Sequence, residues 1–380
     1  MKKLLKVVLA ALMVLSLVAC GGGETATDDP ETFKWNGSDD DVTKIIVLVP
    51  KLGDASYFDT LDRGAKMAGQ IDGVEIEVKE IDKDGSKDES LWMGAFAEYC
   101  EDGEYDLVVS GNDDYEEFLY KACEKYPTQR FYCFDYNNYP VEGVEPYKNL
   151  YAVNYNCAEL GYVVAAVMAE VTQTKKVGAV VGLDIQAMNY FCSGWCQYLQ
   201  EKGIEYEIAY PGKFDKPDLG YSAAETLAKD GCDVIWGVAG QTGNGVIQFC
   251  DENNIWAIGV DADQYAQFAE SNPTWADSIL TSALKSSDLA LVKYVQELKD
   301  GTFDKHLGTY GPIGCADNGV GIVENDFFKA NTTEEQRANI TAAINEVVNG
   351  TKDVINCFAW SADEYATKWP ELYKKGAIVK

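Results

Sequence analysis

Lys44-Ile45-Ile46-Val47-Leu48-Val49 is the stretch on which the fold turns. Five apolar residues in a row, four of them β-branched, suit a strand buried on both faces of a parallel sheet. Working outward, residues 56–70 carry a helical pattern. Val74–Glu80 (VEIEVKE) alternates apolar and charged residues, as an edge strand does. Ser86-Lys87-Asp88-Glu89 has the spacing of a capping box and predicts a helix from there to about residue 101. Strands are expected at 106–110 and 130–135, with a helix at 115–125 between them. This β-α-β-α order builds a parallel sheet with helices on its faces.

A second series begins near Leu150. Residues 158–171 are apolar almost throughout, which predicts a buried helix. Residues 176–181, 205–210, 233–238 and 256–260 read as strands separated by helices. At least eight strands thus precede Asp261, where one lobe would need about five. The 380 residues are long for one domain and suit two. The fold expected is therefore α/β, with two doubly wound lobes side by side. Ligands of such sheets sit beyond the carboxyl ends of the strands, so the site is expected in the cleft between the lobes. Further on, Thr332-Thr333-Glu334-Glu335 predicts a helix by another capping box, and residues 361–375 predict one more.

The first forty residues speak to compartment. Met1 to Lys6 is basic, and residues 7–18 are apolar except for Ser16. A bilayer needs about twenty apolar residues, so residues 1–19 read as an export signal peptide. The run ends Leu17-Val18-Ala19-Cys20-Gly21, which resembles the bacterial lipobox. In that pattern the cysteine sulfur receives a diacylglycerol, because only a thiol makes the thioether, and Cys20 is the expected lipidation site. An ordinary signal peptide with a chance cysteine is the alternative. Two acyl chains give stable membrane anchoring. Residues 20–40 are rich in glycine and acids and read as a flexible tether.

Composition excludes several functions. Thirty-two Lys and Arg stand against 62 Asp and Glu, a net charge of −30. Such a chain repels phosphate backbones, so no nucleic-acid partner is expected. The charge serves solubility or docks an acidic face on a basic partner. The single histidine, His306, would have to serve any Ser-His-Asp triad, and it rules out a His-rich metal site. It follows a helix end and reads as a surface residue. No catalytic residue, metal or cofactor is expected. Ten cysteines follow Cys20 without a repeated short spacing. Cys192 and Cys196 share a helix face, but no further ligands cluster near them. Buried free thiols are the preferred reading.

The loops at the strand ends carry distinctive motifs. Asp54-Ala55-Ser56-Tyr57, with Gly64 ten residues after Asp54, opens the series. Phe131 to Asp135 closes a strand, and Glu159-Leu160-Gly161-Tyr162 leads on to Val181-Gly182. Gly240-Gln241-Thr242-Gly243-Asn244-Gly245-Val246 and Ile258-Gly259-Val260-Asp261-Ala262-Asp263-Gln264 follow, then Leu280-Thr281-Ser282-Ala283-Leu284-Lys285. In these motifs the chain resembles the basic membrane protein family of lipoproteins, from about Lys44 to Phe328. The best understood members of that family are purine nucleoside receptors of ATP-binding-cassette (ABC) transporters. The last three motifs, in this order and spacing, are the most specific.

The resemblance implies a type I periplasmic-binding-protein fold, two Rossmann-like lobes joined by three crossing segments. The expected N-terminal lobe is residues 41–153 plus 285–310, and the C-terminal lobe residues 154–284 plus 311–380. It also implies a purine nucleoside ligand, an ABC permease as partner, and hinge closure about crossings near Val153, Leu284 and Tyr310. A nucleoside asks for aromatic faces around its base, a carboxylate for its vicinal hydroxyls, and polar partners for its base edge. Asp261 follows a buried strand and by resemblance takes the ribose hydroxyls; capping of local backbone is the structural alternative. Asp135 by resemblance faces the base. Lys285 pairs with a cleft carboxylate or a ribose oxygen, or forms a purely structural ion pair. Tyr57 and Phe191 match the family's stacking positions, although Phe191 suits a helix core equally well. Asp54 opens the first ligand motif. Gly240 starts a turn that brings backbone N–H groups toward the ligand, without the spacing of a dinucleotide fingerprint or a Walker lysine.

The chain departs from the family at one place. Tyr57 and Phe58 stand where the family has phenylalanine and asparagine, so an amide able to hydrogen-bond a ligand has become a ring, and Phe58 is itself a stacking candidate. A sugar or other small solute on the same fold, or a surface adhesin that keeps the fold, stays open as an alternative.

Overall fold

The computed structural model describes residues 41–54, 56–112, 114–138 and 141–374. The expected signal peptide, Cys20 and the tether lie outside the described residues. The chain begins β1 (Thr43–Val49), α1 (Tyr57–Ala68), β2 (Val74–Glu80), α2 (Glu89–Cys100), β3 (Leu107–Ser110), α3 (Glu116–Lys125), β4 (Phe131–Cys133) and β5 (Leu150–Tyr155). These strands pair in parallel in the order β2-β1-β3-β4-β5. Ile45 to Val49 are fully buried because β1 lies inside the sheet with helices on both faces. Ile45, Val47 and Val49 pack toward Leu61 and Ala65 of α1, while Ile46 and Leu48 pack toward Trp92 and Phe96 of α2. Each such side chain contributes about 1.5–3 kcal/mol of burial. β2 is the edge strand, and its alternating pattern leaves every second side chain buried or half-buried.

The second series is α4 (Cys157–Val171), β6 (Lys176–Val181), α5 (Gln186–Lys202), β7 (Glu205–Ala209), α6 (Pro217–Lys229), β8 (Val234–Val238), α7 (Gln241–Asn253), β9 (Trp256–Asp261), α8 (Gln264–Ser271), α9 (Pro273–Ala276) and β10 (Ile279–Lys285). The remainder is α10 (Ser287–Lys299), β11 (Thr309–Ile313), β12 (Val320–Ile322), α11 (Asp326–Ala330), α12 (Glu334–Val348) and α13 (Ala362–Lys374). The second sheet has the order β7-β6-β8-β9-β10-β12, with only β12 antiparallel. β11 joins the first sheet beside β5. α10 lies on α1, tied by the Arg63–Asp288 ion pair at 2.9 Å. Two six-stranded sheets flanked by helices form the two lobes of a type I periplasmic-binding-protein fold.

The chain crosses between the sheets after Tyr155, after Lys285 and after Ile313. Each crossing lies just past the expected boundary at Val153, Leu284 or Tyr310. The reason is that β5 and β11 stay in register to Tyr155 and Ile313, and nothing in their composition marks the ladder's end. The crossings are bound to their surroundings: Asn156 N donates to Ile313 O at 3.0 Å, and Ser286 N to Gly319 O at 2.9 Å. Cys315 N donates to Glu159 Oε2 at 2.8 Å.

α4 and α5 cross with backbone contact. A Cβ on Gly161 would lie 1.9 Å from Phe191 O, and one on Gly194 would lie 2.1 Å from Ala158 O. The glycine of the Glu159-Leu160-Gly161-Tyr162 motif is therefore a packing requirement that also sets the height of Phe191. The C-terminal helices complete this lobe. α12 packs on α4 and α13 on α5, and Gln200 Nε2 donates to Leu372 O at 2.7 Å.

Three local expectations need correction. Asp88, rather than Ser86, caps α2, accepting from Ser90 N at 2.8 Å. Ser86 is drawn back to Asp82, which accepts from its amide and its hydroxyl. The cap of α12 is Thr333 with Gln336, one residue beyond the expected box, because the Thr332 hydroxyl closes α11 on Phe328 O at 2.7 Å. His306 is not a free surface residue: its ring stacks on Tyr151 at 4.6 Å and its Nε2 lies 2.6 Å from Glu297 Oε2.

Candidate ligand-binding cleft

The carboxyl ends of β1, β4, β9 and β10 bring together residues far apart in sequence. Asp135 follows β4 and is buried. Its Oδ2 accepts from Tyr57 OH at 2.8 Å and from Lys285 Nζ in a buried ion pair. The Lys285 ammonium lies 4.9 Å from the Tyr57 ring centre, 5.3 Å from Tyr155 and 5.7 Å from Phe191. Three π faces and a carboxylate thus surround one cation. Burial alone would lower the Lys285 pKa, but Asp135, Cys157 and Asp261 outweigh it, so the net direction is up and the ammonium stays charged.

Asp261 is the last residue of β9, with φ +64, a left-handed conformation that Asp tolerates better than most residues. Burial raises its pKa, opposed by the Lys285 charge and the Ser56 hydroxyl. Ser56 Oγ donates to Asp261 Oδ2 at 2.5 Å, joining the β1–α1 loop of the first lobe to β9 of the second. A second bond runs beside it, from Gln241 Nε2 at the start of α7 to Gly53 O at 3.0 Å.

The remaining sequence candidates fall in different places. Phe191 is buried in α5, edge-on to Trp236 at 6.0 Å, with the Lys285 ammonium 5.7 Å from its ring centre. Phe58 is half-buried and meets the Tyr57 ring edge-on at 4.9 Å. The Asp54 carboxylate accepts from the amides of Ser56, Phe58 and Asp59 at 2.9–3.1 Å, so it is engaged in starting α1. Burial nevertheless raises its pKa, outweighing those amides. Gly240 has φ +53, and its turn folds back on its own lobe: Thr242 N donates to Phe214 O at 2.9 Å and Gly243 N to Gly240 O. The side chain this turn sends to the other lobe is Gln241.

Sequence reasoning passed over Ser56, Tyr155 and Gln241 as site residues. Ser56 and Gln241 were visible inside quoted motifs. Tyr155 had one signal, an aromatic residue ending an apolar strand at a crossing. Among the described residues no group of three or more His, Cys, Asp or Glu could hold a metal ion. The ten cysteines there are buried and unpaired.

The profile of the Bmp family, described as "ABC transporter substrate-binding protein PnrA-like", matches residues 42–352. The chain belongs to this family. Its description is that of a substrate-binding protein of an ABC transporter. A lipoprotein of Pyrococcus horikoshii is 27% identical over 400 residues, spanning 100% of this chain and 92% of its own. The "ABC transporter nucleoside-binding protein BmpA" of Lactococcus lactis is 23% identical over 219 residues, 54% of this chain and 60% of that one. Among solved structures, an ABC transporter solute-binding protein from Aeropyrum pernix K1 superposes with TM-score 0.71 at 22% identity, covering 88% of this chain and 98% of that one. The family thus supplies a small-molecule ligand and an ABC permease as partners.

Proposed function

We propose that this chain is an extracytoplasmic lipoprotein, anchored through Cys20, that binds a purine nucleoside between its lobes and presents it to an ABC permease. The observation that carries the reading is the convergence of Asp135, Asp261, Lys285, Tyr57 and Phe191 from both lobes on one place. The rings of Tyr57 and Phe191 give the base its apolar faces. The Asp261 carboxylate accepts the ribose hydroxyls while Ser56 steadies one of its oxygens. Asp135, held by Lys285 and Tyr57, faces the base edge. The nucleoside-binding relative in Lactococcus lactis supports the ligand class, and the lipoprotein relative supports the anchor.

Three crossings between the two sheets support closure by a hinge. The lobes swing about the three crossings, and the Ser56–Asp261 and Gln241–Gly53 bonds form as the loops meet. The test is calorimetric titration of the purified protein with adenosine, guanosine, inosine, cytidine, uridine, free bases, ribose, galactose and glucose. Micromolar or tighter binding of purine nucleosides supports the reading. Binding of a sugar alone retires the nucleoside and keeps the transport role. Binding of none favours an adhesin or a solute of another class.

A further inference from the structure

The family profile ends at residue 352, and the chain continues with a single helical turn at Cys357–Ala359 and then α13. The start of this stretch lies along one face of α5. Gln186, Tyr190, Ser193 and Gln197 are spaced four, three and four residues apart, so they line up on one side of that helix. Gln186 Nε2 donates to Cys357 O and to Trp360 O, each at 2.8 Å. Ser193 Oγ accepts from Cys357 N at 3.4 Å, and Gln197 Oε1 accepts from Ile355 N at 2.7 Å. Tyr190 makes the fourth contact: the Phe358 ring stacks on its ring at 4.8 Å with an interplanar angle of 15°. Asn356 shapes the turn that aims Phe358, its Oδ1 accepting from the amides of Phe358 and Ala359.

Phe358 faces two ways. Besides Tyr190 it packs against a core cluster drawn wholly from residues 46–152 of the first lobe, Cys133 and Tyr136 among them. A residue held on the second lobe thus touches the first. Beneath it, Tyr190 OH donates to Asn156 Oδ1 at 3.2 Å. Asn156 N donates to Ile313 O at 3.0 Å, so the first and third crossings are tied at this residue. We propose that Phe358 is a positioning residue for closure of the cleft. It is a wedge between the lobes, seated on the hinge through Tyr190 and Asn156, and it holds the lobes where the Ser56–Asp261 and Gln241–Gly53 bonds form. The inference rests on the reading of the cleft as hinged and not on the identity of the solute.

The direction follows from burial. An apolar contact between lobes favours the arrangement that makes it. The contact of Phe358 with the first lobe coexists with both loop bonds across the cleft. When the lobes part, that contact is lost, while the stack on Tyr190 stays within one lobe. Covering α5 is a separate task. α13 performs it, with Trp369 and Leu372 buried. Phe358 is half-buried and stands ahead of that helix, so its removal leaves the cover in place.

The test uses the purified protein, first without solute. Phe358→Ala raises the radius of gyration in small-angle scattering and lowers the hydrogen-exchange protection of the Asn156 amide. The Ile355 amide, bonded to Gln197, keeps its protection. Phe358→Tyr, which keeps the ring, matches the wild type in all three readouts. In calorimetric titration with inosine, the Kd of Phe358→Ala is about tenfold higher, within the usual range of coupling between sites. An unchanged radius with unchanged Asn156 protection overturns the inference. Loss of Ile355 protection in Phe358→Ala overturns it too, because the segment has then come away from α5 and the ring serves only to dock it. If inosine does not bind the wild type, the nucleoside reading fails by itself, and the solute-free readouts still decide the role of Phe358.

Discussion

Ser56 and Asp261, 205 residues apart, meet across the two lobes with Oγ donating to Oδ2 at 2.5 Å. The contact links closure of the molecule to the carboxylate proposed to take the ribose. A hydrogen bond to a charged partner is worth about 1.5–3 kcal/mol. Ser56→Ala should therefore weaken solute binding at least about tenfold and shift the solution ensemble toward open forms. Titration and small-angle scattering check this. An unchanged affinity with an unchanged radius of gyration would remove Ser56 from the mechanism.

The Lys285–Asp135 pair is buried on both sides, so breaking one partner strands a charge. Lys285→Met or Asp135→Leu alone should cost about 3–5 kcal/mol of stability. The double variant should recover most of that loss while binding no solute. Urea unfolding midpoints decide. A double variant as unstable as the sum of the singles would mean that the two residues contribute independently and that neither change strands the other's charge.

A pH effect on stability follows from Glu297. Burial opposes its ionisation, but His306 and Lys305 together draw its pKa below the ordinary 4.5. A depressed carboxyl contributes stability that is present above 4.5 and lost as pH falls through the folded value. Glu297→Gln should lower the thermal midpoint at pH 6 and bring it level with the wild type near pH 3. A gap that persists undiminished in acid would assign the effect to packing on Tyr151 instead.

Much of the fold was legible because buried parallel strands leave short apolar runs. The stretches at Lys44–Val49, Lys176–Val181 and 256–260 read as strands within a residue of β1, β6 and β9. β12 was not legible: three residues of an antiparallel edge strand carry no period. The caps at Asp88 and Thr333 were displaced because neighbouring Ser, Thr and Asp residues all fit a capping box. Asp82 and the Lys87 backbone at φ +52 decide the first of these. His306 was misread because its partners, Tyr151 and Glu297, reach it only through the packing of α10. At the cleft, the strand-end acids could be named from their position. Ser56 could not, since its bond exists only once two separately wound lobes face each other.

The central claim is that Asp261 reads the ribose of a bound nucleoside. Its most direct test is a cycle of four titrations, wild type and Asp261→Ala, each with inosine and with 2′-deoxyinosine. Two hydroxyls accepted by one carboxylate predict that the wild type prefers inosine by about tenfold or more. Asp261→Ala should bind both weakly and without preference. Equal wild-type affinities for the two ligands, or a preference that survives Asp261→Ala, would contradict the account.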